Sequence, residues 1–191
     1  MKKVKLIITI CLSVILIVLL YFVLFLDDAE KRVYSCRSVY SQYAKYSYVE
    51  KNDEEKLITI AFDEWKGGSE KQFSAIKPIY EAMVEAFFDK TDDYNDYTLE
   101  IILVKHGSNF VIGNIKKNSD RVTIMSNFAT ELDYVAEAFP NASSVSLYIP
   151  VFDSISEVDK FNDLEYLYLG NEFTVEEREY IFSKFPNCEL K

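Results

Sequence analysis

A single histidine limits the proton chemistry open to this chain. His106 stands before Gly107 and Ser108 at the end of an apolar run, a place where catalytic residues often sit. A nucleophile needs a positioned base and a third group to orient it, and none can be identified around His106. Cys36, Cys188 and His106 would offer three zinc ligands, yet none is paired at C-x-x-C or H-x-x-H spacing. The stretch "DKTDDYNDYTLE" (89–100) sets Asp89, Thr91, Asp93, Asn95 and Glu100 at calcium-loop positions. Its sixth position is Tyr94, where the sharp turn wants glycine, and Thr98–Glu100 reads as the start of a strand. "WKGGS" (65–69) places Lys66 and two glycines ahead of a helix N-terminus, which suits an anion. Asp63, Glu64 and Glu70 surround it with negative charge, so a flexible turn is the plainer reading. Asp63 and Glu64 are also the pair that an enzyme working by carboxylates alone would use. "NAS" (141–143) fits a glycosylation acceptor in a chain exposed to that machinery. No specific catalytic set assembles from these residues. No catalytic residue, cofactor or metal ligand is therefore expected.

The charge balance narrows the partners. Lys and Arg total 21 against 31 Asp and Glu, for a formal net charge of −10. Three of those lysines crowd into "MKKVK", so the chain beyond residue 26 is more acidic than the whole. That surface repels phosphate backbones, and nucleic acid is not expected as a partner. With 14 Tyr and 14 Phe against 5 Gly and 4 Pro, the composition suits a packed domain rather than a disordered stalk. The length beyond residue 26 suits one domain with a core of its own. Cys36 and Cys188 do not make a disulfide framework. They would either bridge the two ends of the domain in an oxidising compartment or stay as two partly buried thiols.

The N-terminus carries its own pattern. From Leu6 to Leu26 the chain holds 21 residues without a charge, broken only by Thr9, Cys11, Ser13 and Tyr21. At about 1.5 Å per residue this is roughly 31 Å of helix, the thickness of a hydrocarbon core. A cleaved signal peptide would have a shorter core and an A-x-A-like site. A lipoprotein signal would place small residues before Cys11, which instead follows "ITI". The expectation is an uncleaved transmembrane signal anchor over 6–26. Residues 1–5 would be cytoplasmic by the positive-inside rule, and the rest would lie extracytoplasmic on a single-pass cell-membrane protein.

The elements that would position any site follow from periodicity. Val33, Cys36, Tyr40, Tyr43 and Ala44 fall at helical spacing, so 27–55 reads as a tyrosine-rich juxtamembrane helix and a charged linker, "EKNDEE". Residues 56–191 then form the α/β domain. "KLITIAF" (56–62) and "TLEIILV" (98–104) read as strands. Between them Ser69 and Gln72 suggest a capping box, followed by a helix through Phe73, Ile76, Ile79, Met83 and Phe87 with Pro78 inside it. This is a βαβ unit with a parallel pair. "KHGSN" turns the chain toward "FVIGNI" (110–115), a hairpin partner.

Beyond residue 119 the text becomes periodic. Val122/Ile124, Val145/Leu147 and Leu167/Leu169 recur at steps of 23 and 22 residues. Lead-ins resembling one another begin at Phe139, Phe161 and Phe185, and helix patterns occupy 128–138, 155–161 and 174–185, the last opened by a Thr174/Glu177 capping box. Residues 119–190 resemble a short leucine-rich-repeat array, whose pattern is L-x-x-L-x-L-x-x-N. The first unit has Asn127 in place and Ser119 at the first position. The second has Pro150 where the asparagine belongs, and the third has Leu164, Leu167 and Leu169 with Asn171 one residue early. The other reading is an open α/β sheet whose units are similar in length. Both imply parallel strands at 121–125, 144–149 and 165–169 with helices over at least one face.

The expected fold is thus α/β: a transmembrane helix, then βα units with mainly parallel strands. The expected function is a protein-interaction module, with Tyr148, Tyr166, Tyr168 and Trp65 as its surface and a protein partner of unknown identity; residues 6–26 would supply the membrane contact. The alternatives are an accessory subunit of a membrane complex and a carboxylate-dependent enzyme.

Overall fold

The computed structural model describes the backbone of residues 2–24, 27–65, 69–119 and 121–191, and their side chains except at 2–6, 9, 21–24 and 69–75. Among the described residues, eight strands form one sheet in the order in which they occur along the chain. They are β1 (Lys45–Asn52), β2 (Leu57–Asp63), β3 (Thr98–Lys105), β4 (Ser108–Ile115), β5 (Val122–Glu131), β6 (Ala142–Val151), β7 (Tyr166–Tyr168) and β8 (Glu189–Leu190). The three repeating strands expected at 121–125, 144–149 and 165–169 are β5, β6 and β7, and they pair in parallel. The sheet as a whole is mixed rather than mainly parallel. β2–β3 and β7–β8 are also parallel, while β1–β2, β3–β4 and β4–β5 are antiparallel. The reason lies in the connections. His106 (φ 49°) and Gly107 (φ 78°) both take positive φ between the paired Lys105 and Ser108. That is the demand of the tight hairpin turn that follows the strand twist, and it needs no crossover.

Helices supply the parallel connections. α4 (Ser69–Val84) runs on through Pro78 and continues as a π-helical turn over Glu85–Asp89. α5 (Leu132–Ala138) joins β5 to β6, a 3-10 helix (Ile155–Lys160) joins β6 to β7, and α6 (Val175–Lys184) joins β7 to β8. α6 opens on the Thr174/Glu177 capping box expected from the sequence. The 3-10 helix opens on a second one, Ser154/Glu157. The Ser69/Gln72 box falls on side chains outside those described. Each parallel connection steps to the next strand in one direction. Right-handed crossovers then place every helix on the same side of the sheet. The layer is continuous: α4 meets α5, α5 meets the 3-10 helix, and that helix meets α6. Under it lies a core built from Ile58, Ile60 and Phe62 of β2, Leu99, Ile101 and Leu103 of β3, and their counterparts Val145, Leu147 and Leu167.

Two segments differ from their sequence reading. The helical spacing of Val33, Cys36 and Tyr40 is used by α2 (Asp28–Ser35) and α3 (Arg37–Tyr40), but the chain then turns extended as β1. The charges of "EKNDEE", read as a linker, sit partly on this edge strand, where they protect its unpaired side, and partly in its turn. Residues 128–131, read as the start of a helix, remain in β5. A bulge there is satisfied by the Ser126 and Thr130 hydroxyls, 2.7 Å apart, and Thr130 also donates to the Phe128 carbonyl.

The expected transmembrane helix is corrected. α1 (Lys2–Leu24) contains most of the apolar segment 6–26. Among the described residues no helix is long and apolar enough to cross a membrane. The signal anchor, the single-pass cell-membrane location and the membrane contact through 6–26 are therefore not supported.

The tight turn after β7 depends on Gly170. Its φ is +70°, and a Cβ there would stand 2.8 Å from the Tyr148 carbonyl oxygen and 3.0 Å from Pro150 Cδ. Gly107 has a similar φ, but a Cβ there would meet nothing within 4 Å. Gly107→Ala should therefore cost about 1 kcal/mol of backbone strain, and Gly170→Ala roughly 2–3 kcal/mol because backbone must also move. Urea unfolding of the two variants checks the difference, and equal losses would refute the close approach.

Candidate functional site

Strand alternation decides which residues face the helices. Val122, Ile124, Val145, Leu147 and Leu167 point into the core, so Met125, Ser146, Tyr148, Tyr166 and Tyr168 point to the opposite side. The pairing register carries one row straight across that side: Tyr48, Ala61, Ile102, Val111, Met125, Ser146 and Tyr168. A second row, toward the N-terminal ends of β6 and β7, includes Thr59, Glu100, Thr123, Ser144 and Tyr166. The first row is apolar except for Ser146; Tyr48 and Met125 are exposed along it, Ile102 and Tyr168 are half-buried, and Ala61 and Val111 are buried.

Tyr148, Tyr166 and Tyr168 thus lie together on the face away from the helices. Tyr148 is 52% exposed and Met125 41%, while Tyr166 and Tyr168 are half-buried. The Tyr148 and Tyr168 rings meet edge to face at 5.2 Å, an arrangement that holds both side chains in place. Charges of both signs surround them, with Lys191 over the Tyr166 ring at 5.9 Å. Glu189 pairs across from Tyr166, and Glu165 and Asp163 hold Arg121 at 2.5 and 3.3 Å.

Trp65 does not join them. It is 4% exposed and packs edge-on against Phe110 and Phe128 at 6.4 Å each, so it belongs to the core rather than to a surface. Its indole N–H has no hydrogen-bond partner among the described residues. Lys66, Gly67 and Gly68, the rest of the anion-site reading, lie outside the described residues. His106 is a hairpin residue with a backbone role. Glu64, also at positive φ (50°), pairs with Lys45 at 3.4 Å and lines a recess that includes neither Asp63 nor His106.

The 89–100 segment is held by cations of the protein itself. Arg32 reaches Asp93 at 3.2 Å and Lys117 reaches Asp92 at 2.9 Å. Tyr94, at the position where a calcium loop wants glycine, is buried and donates its hydroxyl proton to Asp28 at 3.0 Å. Burial pushes the Asp28 carboxyl up, but hydrogen bonds from Arg32 and Tyr94 outweigh it and hold the group below its usual range. Among the described residues no group of three or more His, Cys, Asp or Glu is placed to hold a metal.

Cys36 and Cys188 are both buried and both free. The Cys36 thiol lies 3.3 Å from the Ala82 carbonyl as a donor, which ties the junction of α2 and α3 to α4. Burial, with Glu189 adding, pushes the Cys188 thiol up to about 11. Burial also pushes the Tyr46 and Tyr94 phenols up to about 12, helped by Glu30 and Asp28 respectively.

Sequence reasoning missed this row, which runs from exposed Tyr48 through half-buried Ile102 and buried Val111 to exposed Met125. Its signal was the phase of each strand's alternation, but joining four strands into one line requires the register.

The raised thiol and phenols set a pH dependence. The folded state keeps these protons where the unfolded chain has released them, so stability falls as pH rises above about 9 for Cys188 and about 10 for the tyrosines. Urea midpoints at pH 8, 9.5 and 10.5 should decline in that order. In the same preparation at pH 8, an alkylating reagent should modify exposed Cys11 and reach Cys36 and Cys188 only after unfolding. Labelling of all three in the folded chain would contradict the burial. Comparison of the chain with protein-family models, curated proteins and solved structures finds no match.

Proposed function

We propose that this chain is a protein-interaction module that binds through the face of the sheet not covered by helices, at its β6–β7 end. The observation that carries the reading is the Tyr148–Tyr168 edge-to-face pair, with Tyr148 and Met125 both exposed on the same side of the sheet. Tyrosines that are already held in place lose little side-chain freedom on binding, and they dominate many interfaces. The stacked βα units of 119–190 are read as leucine-rich-repeat-like, a type of architecture whose regular sheet serves as a recognition surface. That step is an analogy of fold. The chain's net charge of −10 favours a protein partner of opposite charge, which would be steered toward it.

The test uses the full-length chain as bait with cross-linking, beside a Tyr148→Ala/Tyr168→Ala variant. The double variant should weaken capture of a specific partner at least tenfold, the scale of a lost hot spot. Its folding stability should fall by no more than about 1.5 kcal/mol, since mainly an edge-to-face contact is lost. A partner held equally by both proteins would place binding elsewhere and refute this reading.

A further inference from the structure

At the other end of the sheet, α2, α3 and β1 enclose a recess of about 360 Å³ lined by Tyr34, Arg37, Tyr40, Ala44, Tyr46 and Glu64, among others. Its deep side is aromatic. The Tyr46 ring lies 5.4 Å from Tyr34 and 6.3 Å from Tyr40, and Tyr40 and Tyr46 rest on buried Phe62 at 5.1 and 6.4 Å. Tyr40 and Ala44 are almost wholly buried, so the floor is apolar.

Its rim carries an unusual charge for this chain. Of the four arginines in the sequence, Arg32 is held by Asp28 and Asp93, and Arg121 by Asp163 and Glu165. Arg178 donates to the Phe173 carbonyl. Arg37 has no hydrogen bond or ion pair from its side chain among the described residues, although acidic residues outnumber basic ones by 31 to 21. Lys45 beside it is occupied by Glu64. Arg37 itself lines the recess, beside Tyr34, Tyr40 and Tyr46.

We infer that this recess binds a small aromatic carboxylate, with the ring against Tyr34, Tyr40 and Tyr46 and the carboxylate on Arg37. The chemistry of each wall selects that class. A guanidinium presents a planar fork that matches a carboxylate through two parallel hydrogen bonds. Tyrosine rings offer faces and edges to another ring, worth about 0.5–1.5 kcal/mol for each such contact. The volume lies at the small end of the usual range for ligand sites, which suits a single-ring molecule better than a nucleotide. This site is independent of the open sheet face, and either reading can fail without the other.

The test titrates benzoate into the full-length chain and follows backbone amide chemical shifts. Benzyl alcohol (the ring without the charge) and inorganic phosphate (a charge without the ring) serve as half-ligands. Saturable shifts should appear at the amides of 34–46 and 64, with benzoate binding at least tenfold tighter than either half-ligand. Arg37→Gln should weaken benzoate at least tenfold, and Arg37→Lys, which keeps the charge without the fork, at least threefold. Both variants should keep the wild-type urea midpoint, because Arg37 is exposed and unpaired. The inference is overturned if no saturable shift appears at those amides, if a half-ligand binds as tightly, or if Arg37→Gln leaves the affinity unchanged.

Discussion

The right-handed crossover constrains this molecule more than any single contact does. Four parallel connections each step to the next strand in the same direction, so their helices must fall on one side. One helix layer over one sheet gives one core, from Val33 and Tyr40 at one end to Leu167 and Ile181 at the other. The same rule leaves the opposite side of the sheet without a connecting helix among the described residues, although Ala61 and Val111 are buried there. Tyr48, Met125 and Tyr148 stay exposed there because the helices that could shield them are committed elsewhere.

The two ends of the sheet solve their edge problem differently. β1 closes the N-terminal edge with Lys45, Glu50 and Lys51, and α2 and α3 fold back over the same end. Arg32 fastens them by reaching Asp28, the Ala86 carbonyl and Asp93, with its guanidinium also over the Tyr94 ring at 5.1 Å. The acidic 89–97 segment is therefore a clasp for the N-terminal helices, and its apparent likeness to a calcium loop is accounted for by internal ion pairs. At the other end β8 is only two residues long, and a short edge strand offers little backbone for unwanted pairing.

How far the sequence could be read depended on the range of the physics involved. Local signals were legible. The alternation of Val122 and Ile124, and of Val145 and Leu147, specified strands, and Thr174 with Glu177 specified the start of α6, because a capping box is complete within four residues. Signals that depend on a distant partner were not. "YSYVEK" has no apolar periodicity strong enough to announce a strand, and it becomes one because β2 offers an edge to pair with. Trp65 has the same neighbours in sequence whether it is buried or exposed; Phe110 and Phe128 decide the matter from more than forty residues away. In the same way Gly170 reads as a turn residue, but its necessity comes from the Tyr148 carbonyl on another strand.

By itself the sequence determined the α/β class, the parallel order of β5, β6 and β7 and the net negative charge. These follow from composition and from periods of two and 3.6 residues, which act over a few positions. Tertiary structure alone decided that the sheet is mixed, that Cys36 and Cys188 remain apart as free thiols, and that Tyr148 meets Tyr168. It also decided that Arg37 is left unpaired beside three tyrosines drawn from α2, α3 and β1. Register and crossover hand set those outcomes. Both relate residues far apart in the chain, and no local pattern encodes them.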